Sequence, residues 1–162
     1  MFRPAAHWIE KTAPSQWLSA HDWVIPVSQT VHIMALSVLF GSAMVINLRL
    51  LGATRGTRSV GEVVGTHVPW MWRALIVLLA TGLVQLVAEP VRQFVTPCFW
   101  WKMALIPVAA GATALFAAGV RRAPGDPPSP FAARGYAICT TLLWITIIFL
   151  GRFIGYTWAD HA

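Results

Sequence analysis

The stretch VIPVSQTVHIMALSVLFGSAMVINLRLL, residues 24–51, decides the fold class of this chain. It contains no acidic residue, and His32 is its only ionisable side chain before Arg49. Crossing the hydrocarbon core of a bilayer takes about 20 predominantly apolar residues in a helix. The stretch is longer than that, so it predicts a membrane-spanning helix rather than a helix of a water-soluble domain.

Three further stretches of similar character follow, at about residues 68–88, 98–120 and 131–158. Gly52 ends the first span, Pro90 ends the second, and a proline-rich segment at 124–130 separates the last two. Because every connection is short, sequential helices are expected to be antiparallel neighbours. The sequence therefore predicts an all-α integral membrane protein, a four-transmembrane-helix up-down bundle over residues 24–158.

The composition of the whole chain agrees with this class. Of 162 residues, 57% are hydrophobic and 11% are charged, whereas soluble domains carry about 25% charged residues. The net charge of +6 comes from basic residues flanking the spans, and no solvated basic face that would bind nucleic acid is visible. The sequence has no zinc motif, P-loop, dinucleotide fingerprint or hydrolase elbow. We therefore predict a protein that is not an enzyme.

Residues 1–23 are expected to form a separate interfacial segment. The segment combines Trp8, Trp17 and Trp23 with charged residues, and it lacks the apolar core of a secretory signal. Tryptophan concentrates where a membrane meets water. We predict a short helix lying in that interface, with Pro14 at its start, and a loosely ordered tail is the alternative.

Lysine and arginine residues near the span ends predict the orientation. Six of them flank the loops after the first and third spans, and three lie on the opposite side. The six are Arg49, Arg55, Arg58, Arg121, Arg122 and Arg134, and the three are Arg3, Lys11 and Arg92. Since positive loops stay cytoplasmic, both termini are predicted to be periplasmic in a bacterial inner membrane.

Polar residues gather at one depth under this topology. Ionisable residues within spans are costly and are functional candidates by default. The candidate layer lies in the outer half of the bundle and consists of Gln29, His32, Gln85, Glu89, Lys102, Arg152 and Tyr156. Its cations suit an anionic or quinone-like ligand, or the propionates of a haem. The alternative is a satisfied network, in which Glu89 pairs with Lys102 or Arg152, or cations that reach the surface.

His32 is the histidine of this layer and the candidate metal ligand. His67 lies near the other membrane surface, so these two histidines cannot share one haem, and a haem on His32 would need a different second ligand. Copper(I) prefers soft ligands. The outer side also holds Met34, Cys98 and Met103, without a recognised motif spacing. The cofactor stays open between haem b, quinone and copper, with lipids as further ligands.

Polar residues of the inner half are expected to be structural. They are Asn47, Arg49, His67 and Arg73. Arg73 is expected to reach the surface or to pair with Asn47. Small residues near Gly41 and at 109–119 predict close approach between helices, because packing drives helix association in lipid.

Several motifs together resemble those of a bacterial family of four-span membrane proteins of unknown function. They are VHIMALSVLFGSAMVINLRLLG at 31–52, PWMW at 69–72, ATG at 80–82, Lys102, and GRFIGY at 151–156. A looser likeness joins the chain to copper-resistance D-type membrane proteins, which also have a first-span histidine before a glycine. The closer resemblance implies an inner-membrane four-helix protein and no particular activity. The residues carried over from it are His32, Arg49, Lys102 and Arg152.

Two functions are consistent with these features. The first is a non-catalytic membrane subunit, an accessory or anchor of a larger redox or photosynthetic membrane complex, in contact with other subunits and the bilayer. The alternative is a small-ligand membrane protein that holds quinone, haem b or copper in the outer polar layer, for electron transfer or transport. The missing catalytic motifs and the small-residue faces favour the first.

Overall fold

The computed structural model describes residues 3–54, 58–122 and 129–157, and every regular element in these ranges is a helix. In chain order the helices are α1 (Arg3–Glu10), α2 (Ala13–Ser19), α3 (Val24–Leu50), α4 (Val60–Ala88), α5 (Pro90–Val95), α6 (Pro97–Arg122) and α7 (Pro130–Thr157). The predicted fourth-span end at Trp158, the loop residue Arg55, residues 124–128 of the proline-rich segment and both chain termini lie outside the described residues.

The four longest helices, α3, α4, α6 and α7, are long and apolar enough to cross a membrane. Even α6, with 26 residues, is about 39 Å long at about 1.5 Å per residue, against a hydrocarbon core of about 30 Å. The prediction of four apolar helices in an all-helical chain is confirmed. The chain is a multi-pass helical membrane protein whose exposed apolar side chains contact lipid.

The start of α4 differs from the prediction. The helix begins at Val60, eight residues before the predicted Val68. The Ser59 hydroxyl accepts a hydrogen bond from the Glu62 backbone N–H at 3.2 Å, and the Glu62 carboxylate accepts one from the Ser59 N–H at 3.0 Å. This reciprocal capping box starts a helix through local hydrogen bonds rather than through apolar length. The criterion of apolar length therefore missed the polar first two turns.

The N-terminal segment forms two short helices, where one was predicted. α2 has Pro14 in its first turn, as expected, but α1 precedes it, and α5 lies in a connection where no helix was predicted. α1 packs against α5, and α2 packs against α4 and α3. The Ser19 hydroxyl donates a 2.9 Å hydrogen bond to the Ala88 carbonyl. We call α1, α2 and α5 the cap, and the bundle end that they contact the cap end.

The long helices contact one another in the order α3, α4, α6, α7 and back to α3. Their apolar core lies away from the cap end. It consists of buried apolar residues between Leu39 and Leu50 of α3 and between Val63 and Ala74 of α4. It also includes buried residues between Ala109 and Ala117 of α6 and between Ala133 and Ile147 of α7. His32 lies nearer the cap end, outside the set of buried residues that form this apolar core. Polar side chains line the helix contacts there instead.

Candidate functional site

His32 connects α3 to α4 within the cap half of the bundle. Its Nδ1 lies 2.7 Å from the Thr81 hydroxyl oxygen, and the neighbouring Ser28 hydroxyl donates to the Thr81 carbonyl at 3.2 Å. A Cβ atom added to Gly82 would lie 3.9 Å from His32 Cε1, so the glycine leaves space in which the imidazole lies against α4. The ring therefore lies between α3 and α4, next to Gly82 and to the hydroxyl groups of Ser28 and Thr81.

The hydrogen bonds of Thr81 bear on the tautomer of His32. The threonine hydroxyl has one hydrogen, and the Val77 carbonyl, 2.8 Å from the hydroxyl oxygen, is an acceptor for it. When this hydrogen is donated to Val77, the Thr81 oxygen accepts the hydrogen of His32 Nδ1. In the neutral ring, Nε2 then carries a lone pair that can accept a hydrogen bond or bind a metal.

Lys102 of α6 lies against α7. A Cβ atom added to Gly151 would lie 3.5 Å from Lys102 Nζ and 3.8 Å from two carbons of its stem, so this glycine provides the surface on which the side chain rests. The ammonium is also within electrostatic range of His32. Lys102 is half-buried, and no described residue gives it a hydrogen-bond acceptor or a carboxylate partner.

These groups share one level of the bundle. Lys102 follows the start of α6 by five residues, His32 follows the start of α3 by eight, and Thr81 precedes the end of α4 by seven. At about 1.5 Å per residue, the three lie about 7–12 Å from their helix ends. We call this level, with His32, Thr81, Gly82, Lys102 and Gly151, the His32–Lys102 layer.

The other candidate residues lie around this layer rather than inside it. Arg152 is exposed, and its guanidinium donates to the Tyr156 hydroxyl at 2.9 Å while its central carbon lies 4.9 Å from the Tyr156 ring centroid. Gln29 is exposed on α3. Gln85 is half-buried, and its amide nitrogen is closed off from solvent without a partner among the described residues.

The expected pairing of Glu89 is wrong. Glu89 pairs with Arg92, with 2.5 Å between Oε2 and Nη2, and not with Lys102 or Arg152. The two residues are three apart across the junction of α4 and α5, so the pair forms locally at the cap. Within residues 3–54, 58–122 and 129–157, Lys102 therefore has no carboxylate of the kind that a satisfied network would have given it.

Sequence reasoning missed three residues of the layer, Thr81, Gly82 and Gly151, and it also missed Ser28, which bonds to Thr81. Ser28 lies one turn before His32 on the same helix face, and that spacing could have indicated it. The two glycines were quoted only as parts of motifs. Their role depends on which helix faces them, which a single sequence does not specify.

A second polar cluster lies farther from the cap. Asn47 Nδ2 donates to the Thr141 hydroxyl at 2.8 Å, and the Thr140 hydroxyl lies 3.3 Å from Asn47 Oδ1. A narrow pocket adjoins it, lined by Ala43, Ile46, Asn47, Met71, Thr113, Tyr136, Thr140 and Trp144. The expected pairing of Asn47 with Arg73 is wrong, because Arg73 is exposed and its guanidinium carbon lies 4.9 Å from the Trp70 ring centroid.

The structure does not bring a metal-binding cluster together. In the described ranges, no group of three His, Cys, Asp or Glu residues could hold a metal ion. Met34 and Met103, which were candidates for copper, are 64% and 41% exposed, on the surface of the bundle. His67 forms a local hydrogen bond with the Val63 carbonyl at 3.0 Å. It precedes Thr81 by 14 residues on α4, so it lies about 21 Å from the layer along the helix axis.

The helices and their polar layer thus define a multi-pass helical membrane protein with a half-buried cation, Lys102, that forms no ion pair within the described residues. Residues 21–157 match the family described as "Family of unknown function (DUF6644)", and the chain belongs to that family. The match covers α3 to α7 and leaves α1 and α2 outside it. No curated protein and no solved structure matches the chain. The looser likeness to copper-resistance D-type proteins stays a prediction.

Proposed function

We propose that this protein is a small-ligand membrane protein whose His32–Lys102 layer binds a molecule through an anionic or carbonyl oxygen. The observation that carries the proposal is the half-buried ammonium of Lys102, which has no acceptor among the described residues. An unpaired charge within a spanning helix is costly, and such residues mark ligand or ion sites. A ligand oxygen would supply the missing partner.

The donors and acceptors of the layer define the class of ligand. Lys102 offers up to three N–H donors, and His32 Nε2 offers one lone pair. A ligand that accepts from the ammonium and donates to the imidazole satisfies both groups. Carboxylic acids and hydroquinone head groups have this combination, and a quinone carbonyl would satisfy the ammonium.

Quinone and haem b suit these residues better than copper does. A quinone carbonyl would accept from Lys102, and a haem would place a propionate at Lys102 and its iron at His32 Nε2. Copper(I) would prefer sulfur ligands, and the side chains of Met34 and Met103 are exposed on the surface of the bundle. Either fitting cofactor would serve electron transfer or transport.

The helix contacts support the up-down topology and an outward-facing site. Lys102, near the start of α6, meets Gly151, near the end of α7, while Gly61 at the start of α4 lies near Val120 at the end of α6. Together with the excess of basic residues at the other end, this arrangement favours a bacterial inner-membrane protein with periplasmic termini and a periplasmic site.

Ligand analysis of the purified protein tests this function. The tagged chain, Lys102→Met and the control Arg73→Met would be purified in mild detergent, and extracted small molecules would be identified by absorption and mass spectrometry. Arg73 is a suitable control because it is an exposed cation of a spanning helix. We expect a bound acid, quinone or haem in the unaltered chain and in Arg73→Met, and its loss in Lys102→Met. Unaltered protein that carries no such molecule contradicts the proposal.

A second candidate is the accessory subunit of a larger membrane complex. Added Cβ atoms at Gly41, Gly65, Gly119 and Gly135 would meet nothing within 4 Å, so these glycines lie on open faces of the four long helices. Small residues on such faces let helices of another subunit approach closely in lipid. Purification in mild detergent with identification of co-purifying polypeptides tests this role. A monodisperse monomer without any companion polypeptide contradicts it.

A further inference from the structure

Two buried polar atoms lie where α1 and α2 pack against the rest of the chain. Gln85 Nε2 and Arg92 Nε are both closed off from solvent, and neither has a hydrogen-bond partner among the described residues. Gln85 is three residues before Ala88, to which Ser19 of α2 is bonded, and Arg92 lies on α5, against which α1 packs. We therefore expect these two donors to become hydrated if α1 and α2 move away.

Little holds α1 and α2 in place. Ala6 and Ser15 are the only buried residues of these two helices, while Trp8 and Trp17 are 72% and 56% exposed. Segments with little buried apolar area open at low free-energy cost. Shutting unpaired donors away from water is itself unfavourable. A ligand that supplies acceptors for these donors would therefore favour the closed cap further.

One of these donors, the Gln85 amide, is next to the proposed ligand site. Gln85 lies one turn along α4 from Thr81 and Gly82, which contact His32. A ligand bound between His32 and Lys102 could bring a further oxygen atom to this part of α4. Such an oxygen would be an acceptor for Gln85 Nε2, which has none among the described residues.

We propose that α1 and α2, residues 3–19, form a lid on the His32–Lys102 layer. The lid opens to admit the ligand from the aqueous side, and in the closed complex the Gln85 amide donates to an oxygen atom of the ligand. This inference rests on the proposed function for the identity of the ligand. The opening motion can be tested without any ligand.

Cysteine labelling measures the opening. Gln85→Cys would be placed in a full-length chain carrying Cys98→Ser and Cys139→Ser, and labelled by a permanently charged methanethiosulfonate in membranes opened by freezing and thawing. The reagent does not enter the hydrocarbon core, so it reaches residue 85 only from water. We expect slow labelling that becomes at least tenfold faster with Ser15→Trp, because an indole does not fit where a 1% exposed serine lies.

Two further variants make the outcome decisive. Gln16→Trp, on the exposed side of α2, should leave the labelling rate unchanged. Ser19→Ala removes the hydrogen bond to Ala88 and should raise the rate about fivefold, even if Ser15→Trp fails to fold. Equal rates in the unaltered, Ser15→Trp and Ser19→Ala backgrounds overturn the lid. Absence of a bound ligand in the purified protein would contradict the proposed function and leave these rates as they are.

Discussion

Replacing Lys102 by methionine is expected to stabilise the empty protein and to weaken ligand binding. Methionine keeps the length of the side chain, and it fits against Gly151, where the lysine stem now lies. The substitution removes an ammonium that lacks a partner among the described residues. Opposite effects on stability and binding distinguish a ligand site from a structural ion pair, whose loss would lower both.

The size of each effect follows from the position of the side chain. A lysine at the centre of a spanning helix costs about 2.5–3.5 kcal/mol. Lys102 is half-buried and five residues from the start of α6, so we expect a gain of about 1 kcal/mol in the free energy of unfolding, or about 2–4 °C in Tm. A hydrogen bond to a charged group contributes about 1.5–3 kcal/mol. Its loss should weaken binding about 10- to 150-fold.

The change in stability is measured by thermal unfolding in detergent, followed by fluorescence-detected size exclusion. The change in binding is measured by titration with the ligand that mass spectrometry identifies. Arg73→Met is the control. Its exposed guanidinium only stacks on Trp70, so its loss should change Tm little and binding not at all. A Tm that falls by several degrees in Lys102→Met would refute the reasoning, since it would mean that the ammonium is already paired.

Three other substitutions test the packing around the two polar clusters. Gly151→Leu should displace the lysine side chain that rests on this glycine and weaken ligand binding at least tenfold, whereas Gly65→Leu, where an added Cβ meets nothing within 4 Å, should leave binding unchanged. Thr81→Val removes the acceptor of His32 Nδ1, and the unfolding free energy should fall by about 1–3 kcal/mol, as measured by thermal unfolding. An unchanged Tm in this variant would contradict a stabilising hydrogen bond between His32 and Thr81. Asn47→Leu removes the hydrogen bond to Thr141 and the contact with the Thr140 hydroxyl, and it should cost about 1–2 kcal/mol. A neutral result would show that the amide does not hold the helices together.

The class of fold could be predicted because apolar length is a property of each segment alone. The stretch at 24–51 is sufficient to define a span, and α3 ends within one residue of it. Helix ends that are determined by local hydrogen bonds were harder to predict from the sequence. The capping box at Ser59 extends α4 into a polar segment, and α5 forms within a connection that contains Pro90.

The common depth of His32 and Lys102 could also be predicted, because depth depends on counting residues from each helix end. Which side chains meet could not be predicted, because this depends on how each helix is rotated about its axis. Glu89 shows the difference. It lies at the depth that would suit a partner for the lysine, yet its carboxylate pairs with Arg92 at the bend between α4 and α5.

A density map of the protein in lipid nanodiscs, at a resolution that shows side chains, tests the central claim most directly. The account predicts density for a non-protein group within hydrogen-bonding distance of Lys102 Nζ, on the side of His32 Nε2, with the Nδ1 contact to Thr81 retained. A map in which the ammonium instead extends to the membrane surface, and no group occupies the space between His32 and Lys102, would contradict it.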